Sequence, residues 1–125
     1  SFRESVTKEL RAIIGENVSS VYSDNSLSQL IIKTIEGWAM KPDTDELSVI
    51  LSSNDLEKLE ETLLAELKAK MLTGVTLKAN DNVDGGFRIA VNGDGAYYDY
   101  SKEAVTDMLS NYLSPKITAL LKEAE

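Results

Sequence analysis

Apolar residues recur every three or four positions in four parts of the chain, the spacing that places them on one face of an α-helix. These parts run over residues 2–22, 27 to about 40, 56–71 and 105 towards the end. In the last part Pro115 follows Ser114, so we expect Ser114 to cap a fifth helix that opens with Pro115. The expected buried face of the fourth helix consists of Val105, Met108, Leu109, Tyr112 and Leu113.

Residues that favour helix N-termini precede three of these helices. Residues 24–26 offer three possible N-caps for the second helix, and Ser101 is suited to cap the fourth. Asn54, with Glu57 three residues later, is a variant of the capping box and predicts the start of the third helix. No convincing cap precedes Phe2, although the apolar stripe is already in phase there. We therefore expect the first helix to continue upstream in the complete protein.

Four short runs alternate between apolar and polar residues, which is typical of strands with one buried face. They span about residues 46–52, 75–80, 86–92 and 96–100. Short joins separate the last three, so we expect these strands to form an antiparallel meander. A helix separates the first strand from the second, so these two are parallel if they are adjacent. The sequence thus predicts an α+β fold, with helices packed on a four-stranded mixed or antiparallel sheet.

The stretch "DNVDGGFRIAVNGDGAYYDYS", residues 81–101, is rich in glycine and acidic residues and has to be tested as a binding loop. A helix-loop-helix calcium site needs oxygen ligands at loop positions 1, 3 and 5, Gly at 6 and Glu at 12. Counted from Asp81, only Asp81 and Gly86 fit this pattern. A phosphate loop needs Gly-Lys-Ser/Thr before a helix, which is absent here. Asn-Gly and Asp-Gly between alternating runs instead predict two hairpin turns, without a metal ion or cofactor.

The composition narrows the possible functions. The chain has no histidine and no cysteine, which removes the commonest general base, disulfides and thiolate metal sites. Its net charge is −8, which argues against a nucleic-acid partner and against docking on an anionic membrane surface. No apolar run approaches the length needed for direct membrane insertion. An excess of acidic residues is typical of a surface that keeps a protein soluble, and binding to a basic protein partner is the more specific alternative. Because the chain has no cysteine, a cytosolic setting is the simpler expectation.

Three smaller groups have ordinary structural interpretations. The acidic run at residues 43–46 follows a proline and favours a solvated turn over a metal site. Trp38 lies on the apolar face of the second helix and is expected in the core. The tyrosines of the last strand lack nearby basic charge except for Arg88, so we expect them to pack in the sheet or at a protein interface.

Several short elements occur in an order that resembles the C-terminal part of the E subunit of V-type and archaeal-type rotary ATPases. The segment 85–121 contains the "GGF-R/K-I" strand, the "YD-aromatic-S/T" strand and the "ML…YL-P" helix of that family. The main residues that carry the resemblance are Gly86, Phe87, Arg88, Ile89, Tyr98, Asp99, Tyr112, Leu113 and Pro115.

The resemblance implies a non-catalytic peripheral-stalk subunit, a stator, of a complex that couples ATP to the transport of protons or sodium ions. Residues 1–23 would be the C-terminal end of a long stalk helix, and residues 24–125 a globular head. The head would dock on the catalytic A/B headpiece, through its B subunit, and resist rotor torque. The complex would place the chain on the cytoplasmic side, peripheral to the membrane.

A second stalk subunit, a coiled-coil protein of the G/H type, is the other implied partner. The open start of the first helix leads us to expect that Phe2, Val6 and Leu10 pack on it. Two alternatives remain open at this point. One is a general protein-interaction or adaptor domain tethered to a coiled coil, and the other is a small ligand-binding domain.

Overall fold

The helices and strands follow one another as the sequence predicts, up to the last helix. A computed structural model describes residues 1–23, 25–93 and 95–124. The elements are α1 (Phe2–Tyr22), α2 (Ser26–Ala39), β1 (Leu47–Leu51), α3 (Ser53–Ala69), β2 (Val75–Ala79), β3 (Gly86–Val91), β4 (Tyr97–Ser101) and α4 (Lys102–Glu123). The predicted α+β class is confirmed.

The sheet is mixed, with the strand order β2-β1-β3-β4. β1 pairs in parallel with β2, whereas β1 with β3 and β3 with β4 are antiparallel. The predicted meander is wrong, because β1 lies between β2 and β3; only the β3–β4 hairpin is confirmed. Because β1 lies inside the sheet, its residues Leu47, Val49 and Leu51 are almost completely buried. The strands β2 and β4 form the two edges and are more exposed.

Helices α2 and α3 cover one face of this sheet and form the hydrophobic core with it. Their apolar stripes alternate with polar residues at helical spacing, so each helix buries a single face. The buried cluster consists of Leu27, Ile31, Ile32, Ile35, Leu47, Val49, Leu51, Leu63, Leu67, Phe87 and Ile89. We call the sheet with α2 and α3 the head layer.

Helices α1 and α4 pack mainly against each other and form a second unit, which we call the arm. A Cβ on Gly86 would touch both Tyr22, at the end of α1, and Ser101, just before α4. Further along, Gly15 faces Thr106. Because residue numbers fall along α1 as they rise along α4, the two helices are antiparallel.

The start of α1 has a cap that the sequence pattern does not indicate. The Ser1 hydroxyl accepts a hydrogen bond from the Glu4 amide at 3.3 Å, and the Glu4 carboxylate accepts one from the Ser1 nitrogen. The two residues therefore form a capping box.

The other caps are partly as predicted. Ser101 caps α4, with its hydroxyl accepting from the Ala104 amide at 3.3 Å. The predicted Asn54 cap of α3 is wrong, because Ser52 caps this helix two residues earlier and accepts from the Asp55 amide. Asn25 stands at the N-cap position of α2, whereas Asp24, another of its three candidates, lies outside the described residues.

The predicted break at Pro115 is also wrong, since α4 runs without interruption through Pro115. A proline inside a helix removes one backbone hydrogen bond and crowds the preceding turn. Ser114 and Thr118 are nevertheless buried on either side of it. Packing along α1 therefore holds α4 together across the proline, and a fifth helix does not form among the described residues.

Candidate interaction surfaces

Gly86 joins the arm to the head layer. Its φ is +74°, a conformation that side-chain-bearing residues rarely adopt. A Cβ at this position would lie 2.6 Å from the Tyr100 carbonyl oxygen, 2.7 Å from Cε2 of Tyr22 and 2.9 Å from Cα of Ser101. Only glycine lets α1, β3 and the start of α4 approach this closely.

The aromatic residues around Gly86 tie the two units together. Phe87 is buried, stacks on Tyr100 with ring centroids 5.2 Å apart, and meets Tyr22 of α1 at 6.5 Å. Burial and the charge of Asp99 raise the pKa of Tyr22 above its ordinary value. The start of β3 is thus where the end of α1 contacts the core.

Arg88 and Asp99 lie opposite each other on neighbouring strands, on the sheet face away from α2 and α3. The Arg88 Nε is 3.5 Å from the Asp99 Oδ1, and among the described residues it has no hydrogen-bond partner. The guanidinium also lies 4.7 Å from the ring centroid of Tyr97. The Oδ1 of Asp99 also accepts a hydrogen bond from the Ser101 amide, at the turn into α4. These contacts are structural.

Tyr98 belongs to the other face of the sheet and packs at the edge of the core. Its ring lies 4.5 Å from that of Trp38, while Lys41 sits 4.2 Å from the Trp38 ring centroid. Trp38 is partly buried against the core, close to its predicted position. Half of Tyr98 remains exposed, so this corner combines packing with an accessible aromatic surface.

The glycine- and acid-rich stretch forms one hairpin, not two. The β3–β4 turn contains Asn92 and Gly93 with φ values of +54° and +67°, as Asn-Gly predicts, while Asp94 lies outside the described residues. The β2–β3 join is not a hairpin, because it passes from one side of β1 to the other. Gly85 in this join also has a positive φ, as the Asp-Gly pair predicts, but the strands on either side of the join do not pair.

Asn92 has a role that the sequence did not reveal. Its Oδ1 accepts from the amides of Asp45 and Glu46 at 2.8 and 3.0 Å, and its Nδ2 donates to the Asp43 carbonyl at 2.7 Å. The acidic connection is thus held by a side chain from the opposite turn. An Asn-Gly pair is explained fully by a turn, so no signal pointed to this second use.

Asp81, the first position of the tested calcium loop, instead anchors the start of α3. Its carboxylate accepts from the Ser53 amide at 2.8 Å and from the Ser53 hydroxyl at 3.1 Å. These bonds, the backbone one first, lower the pKa of Asp81 below its ordinary value. Within residues 1–23, 25–93 and 95–124, no three acidic, histidine or cysteine residues are grouped so as to hold a metal ion.

A cleft lies between α1, the start of α4 and the sheet. It is lined by four basic and four acidic residues, namely Lys8, Arg11, Arg88, Lys102, Asp84, Asp99, Glu103 and Asp107. Arg11 pairs with Asp107 across the arm, and Arg88 pairs with Asp99. Because the charges of both signs balance, the cleft has no net charge with which to select an ionic ligand.

The outer side of α4 carries two of the five apolar residues that the sequence predicts to be buried. Met108 is 61% exposed and Tyr112 is 63% exposed, with Lys116 lying over the Tyr112 ring. Leu113 is half-buried. The buried side of the helix consists instead of Thr106, Ser110, Ser114 and Thr118. The predicted burial is therefore wrong for Met108 and Tyr112, which are available for contacts outside this chain, whereas Val105 and Leu109 are half-buried like Leu113.

The residues predicted to pack on a partner stalk lie along the first three turns of α1. Phe2 is 42% exposed, whereas Val6 and Leu10 are half-buried. Leu120 and Leu121, near the end of α4, are also exposed. In the antiparallel arm, the first turn of α1 and the last turns of α4 lie at the same end, away from the head layer.

Fold and surfaces together define an α+β domain with a two-helix arm whose accessible apolar residues suit protein contacts. No protein-family model matches the chain. It is 44% identical over 124 residues to the V-type ATP synthase E subunit of Treponema denticola, covering 99% of this chain and 60% of that protein. It is 37% identical over 121 residues to the V-type ATP synthase E subunit of Treponema pallidum, covering 97% of this chain and 52% of that protein. For the V-type ATP synthase E subunit of Borreliella afzelii the identity is 34% over 122 residues, with 94% and 60% covered.

The chain is thus similar over nearly its whole length to E subunits of V-type ATP synthases, the family that the segment 85–121 resembles. It spans between half and two thirds of the length of these relatives. None of the helices in the described ranges is long and apolar enough to cross a membrane.

Proposed function

We propose that this chain is the head part of a non-catalytic peripheral-stalk subunit, a stator, of a V-type rotary ATPase. It corresponds to the C-terminal part of such a subunit and docks on the catalytic A/B headpiece, through the B subunit. There it resists rotor torque while ATP turnover is coupled to the transport of protons or sodium ions, on the cytoplasmic side of the membrane. The observation that carries this proposal is the similarity of nearly the whole chain to E subunits of V-type ATP synthases.

The construction of the head layer supports a mechanical role. A stator head has to transmit force without deforming, which requires a close-packed core more than a ligand pocket. The central strands β1 and β3 contribute Val49, Leu51 and Ile89, each with no exposed surface. Gly86 then lets the arm lie so close to this core that an added Cβ would clash with Tyr22. Force applied to the arm therefore reaches the most rigid part of the sheet.

The arm supplies the proposed contact with a second stalk subunit, a coiled-coil protein of the G/H type. Residues 1–23 form the end of the stalk helix in this proposal, and residues 24–125 form the head. Phe2, Val6 and Leu10 pack on the partner, with Phe2 as the most exposed of the three. Because α4 accompanies α1 along the arm, the partner also meets the outer stripe that contains Met108 and Tyr112.

A capture experiment with the catalytic A and B subunits and the second stalk subunit tests the proposal. The chain is expected to retain both the headpiece and the stalk partner. Phe2→Asp is expected to weaken capture of the stalk partner while leaving headpiece capture unchanged, since it places a charge in an apolar contact. Ser5→Asp, an exposed substitution one turn further on, is the matched control. Failure of the unmodified chain to retain either component would contradict the stator role.

Thermal unfolding separates the stator from a small ligand-binding domain. A ligand that binds only the folded state raises the unfolding temperature, and the rise grows with the ligand concentration relative to its Kd. We expect no shift on addition of Ca²⁺, Mg²⁺ or ATP. A rise of several degrees with any of these would favour the ligand-binding alternative.

A further inference from the structure

The contact between α1 and α4, which we call the seam, is lined on the α4 side by hydroxyl groups. Thr106, Ser110, Ser114 and Thr118 follow one another at intervals of four residues and are 6%, 2%, 7% and 6% exposed. Among the described residues, none offers a hydrogen-bond partner to these four hydroxyl oxygens. A helix contact between antiparallel neighbours is more usually lined by apolar residues at this spacing.

Burying these hydroxyls opposes closure of the seam. A polar group that leaves water without gaining a partner loses its hydration, and it recovers that hydration as soon as the contact opens. The apolar residues beside these hydroxyls on α4, Leu109, Leu113 and Ile117, are only half-buried, so they compensate for part of this loss. Among the described residues of the arm, Val18 is the one apolar side chain that is buried, and α4 contributes none.

Two residues weaken the helices themselves. Gly15, which faces Thr106, allows close approach of the backbones but lowers the intrinsic stability of α1. Pro115 removes one backbone hydrogen bond in the middle of α4. The main polar tie across the seam is the ion pair of Arg11 with Asp107, whose side chains are 47% and 45% exposed, so solvent screens it.

The head layer does not depend on the seam. Every fully buried member of its core comes from α2, α3, β1 or β3, and among the described residues Tyr22 is the one hydrophobic residue of the arm that packs against this cluster. Opening of the arm therefore leaves the apolar core covered. Elements with few buried apolar contacts are the ones that open independently of global unfolding.

We infer that the seam is a built-in opening plane, along which α4 separates from α1 while the head layer remains folded. The opening runs from the far end of the arm towards Gly86, where the contact of Tyr22 with Phe87 stops it. This opening makes the arm flexible beside a rigid head layer. It also exposes the four hydroxyl groups of the seam to water without exposing the core. This property goes beyond the stator role and does not require it.

Hydrogen exchange of the chain, measured across a range of low urea concentrations, tests the inference. Once separated, each helix is only marginally stable in water, so amides of α1 and α4 are expected to exchange through this opening, with a small urea dependence because little surface is exposed. Amides of α2, α3, β1 and β3 are expected to exchange only with global unfolding. If the arm amides share the urea dependence of the sheet amides, the seam does not open separately and the inference is overturned.

Substitutions in the seam provide the second measurement. Ser110→Ala and Ser114→Ala remove a buried hydroxyl without adding volume, so each is expected to slow exchange in both α1 and α4 by about tenfold. Asn111→Ala is the matched control, because it improves helix propensity at an exposed position of the same helix and leaves the seam unchanged. A control that slows exchange as much as the seam variants would assign the effect to propensity and overturn the role of the hydroxyls.

Discussion

In the head layer, α2 and α3 bury branched apolar side chains against the sheet, whereas in the arm α1 and α4 meet across a row of hydroxyl groups. Both units contain helices with apolar residues at helical spacing. In α2 that stripe includes Ile31 and Ile35, which have no exposed surface. In α4 the equivalent stripe includes Met108 and Tyr112, which are mostly exposed.

The difference shows what helical periodicity does and does not determine. The pattern identifies which face of a helix is apolar, but it does not identify the surface that covers this face. For α2 the sheet of the same chain covers it. For α4 the chain packs a row of hydroxyl groups against α1, with Leu113 half-buried beside this row, and Met108 and Tyr112 remain for contacts elsewhere. Such exposed apolar stripes are typical of helices that meet other proteins.

Gly86→Ala should have the largest effect, since it acts where the two units join. The new Cβ would have to sit within 3.0 Å of three atoms of Tyr22, Tyr100 and Ser101, in a left-handed conformation. We expect a loss of roughly 4 kcal/mol in the free energy of unfolding, measured by urea denaturation. Gly93→Ala is the matched control, because Gly93 also has a positive φ but a Cβ added there would meet nothing within 4 Å. Its expected loss is about 1 kcal/mol. If both variants lost the same free energy of unfolding, the cost at Gly86 would come from its left-handed backbone conformation alone and not from the close contacts around it.

Leu63→Ala and Met108→Ala compare the two units directly. Leu63 has no exposed surface, so its truncation leaves a cavity and should lower the free energy of unfolding by about 3 kcal/mol. Met108 is 61% exposed, and its truncation should change that free energy by less than about 0.5 kcal/mol. Urea midpoints of the two variants measure the contrast. A large loss for Met108→Ala would mean that the outer stripe of α4 is covered within this chain.

Much of the fold follows from local patterns. The strands around Val49, Ile89 and Tyr98 are given by strict alternation, and the cap at Ser101 is given by a hydroxyl just before an apolar stripe. The order of strands in the sheet is different, because it depends on which edge β2 joins after its crossover, and no local signal specifies this. The single helix through Pro115 likewise depends on tertiary packing, which overrides the local tendency of proline to end a helix.

For the residues of the candidate interaction surfaces, too, the sequence reveals the local role but not the contacts with distant parts of the chain. Gly86 could be recognised from sequence as a special backbone position, but the three contacts that exclude a side chain there come from parts of the chain far apart in sequence. Asn92 was assigned to a turn, while its bonds to the acidic connection join residues 46 to 49 positions apart. Thr106 and Ser110 begin a stripe at intervals of four that is readable in the sequence. A polar stripe ordinarily indicates a solvated face, so its burial was not predictable.

The smallest expected effect is the pH dependence of Asp81, which belongs to the head layer alone. Hydrogen bonds from Ser53 lower the pKa of this exposed carboxyl in the folded state. A group with a lowered folded-state pKa stabilises the fold above its unfolded-state pKa of about 3.9. That stabilisation is lost as the pH falls through the folded-state value, because protonation then occurs in both states. Urea midpoints of the unmodified chain and of Asp81→Asn should therefore differ at neutral pH and converge below about pH 4.

Asp84→Asn is the control for this measurement, since it removes a carboxylate from the same join and keeps the contact of Asp81 with Ser53. If its pH profile matches that of Asp81→Asn, the loss reflects the general acidity of the join and not the anchor of α3. Hydrogen exchange of the same variants then extends the contrast between the units. Because Asp81 holds α3 to the β2–β3 join, Asp81→Asn should speed exchange at the start of α3 and leave α1 and α4 unchanged. Faster exchange in the arm would instead mean that the seam and the head layer open together.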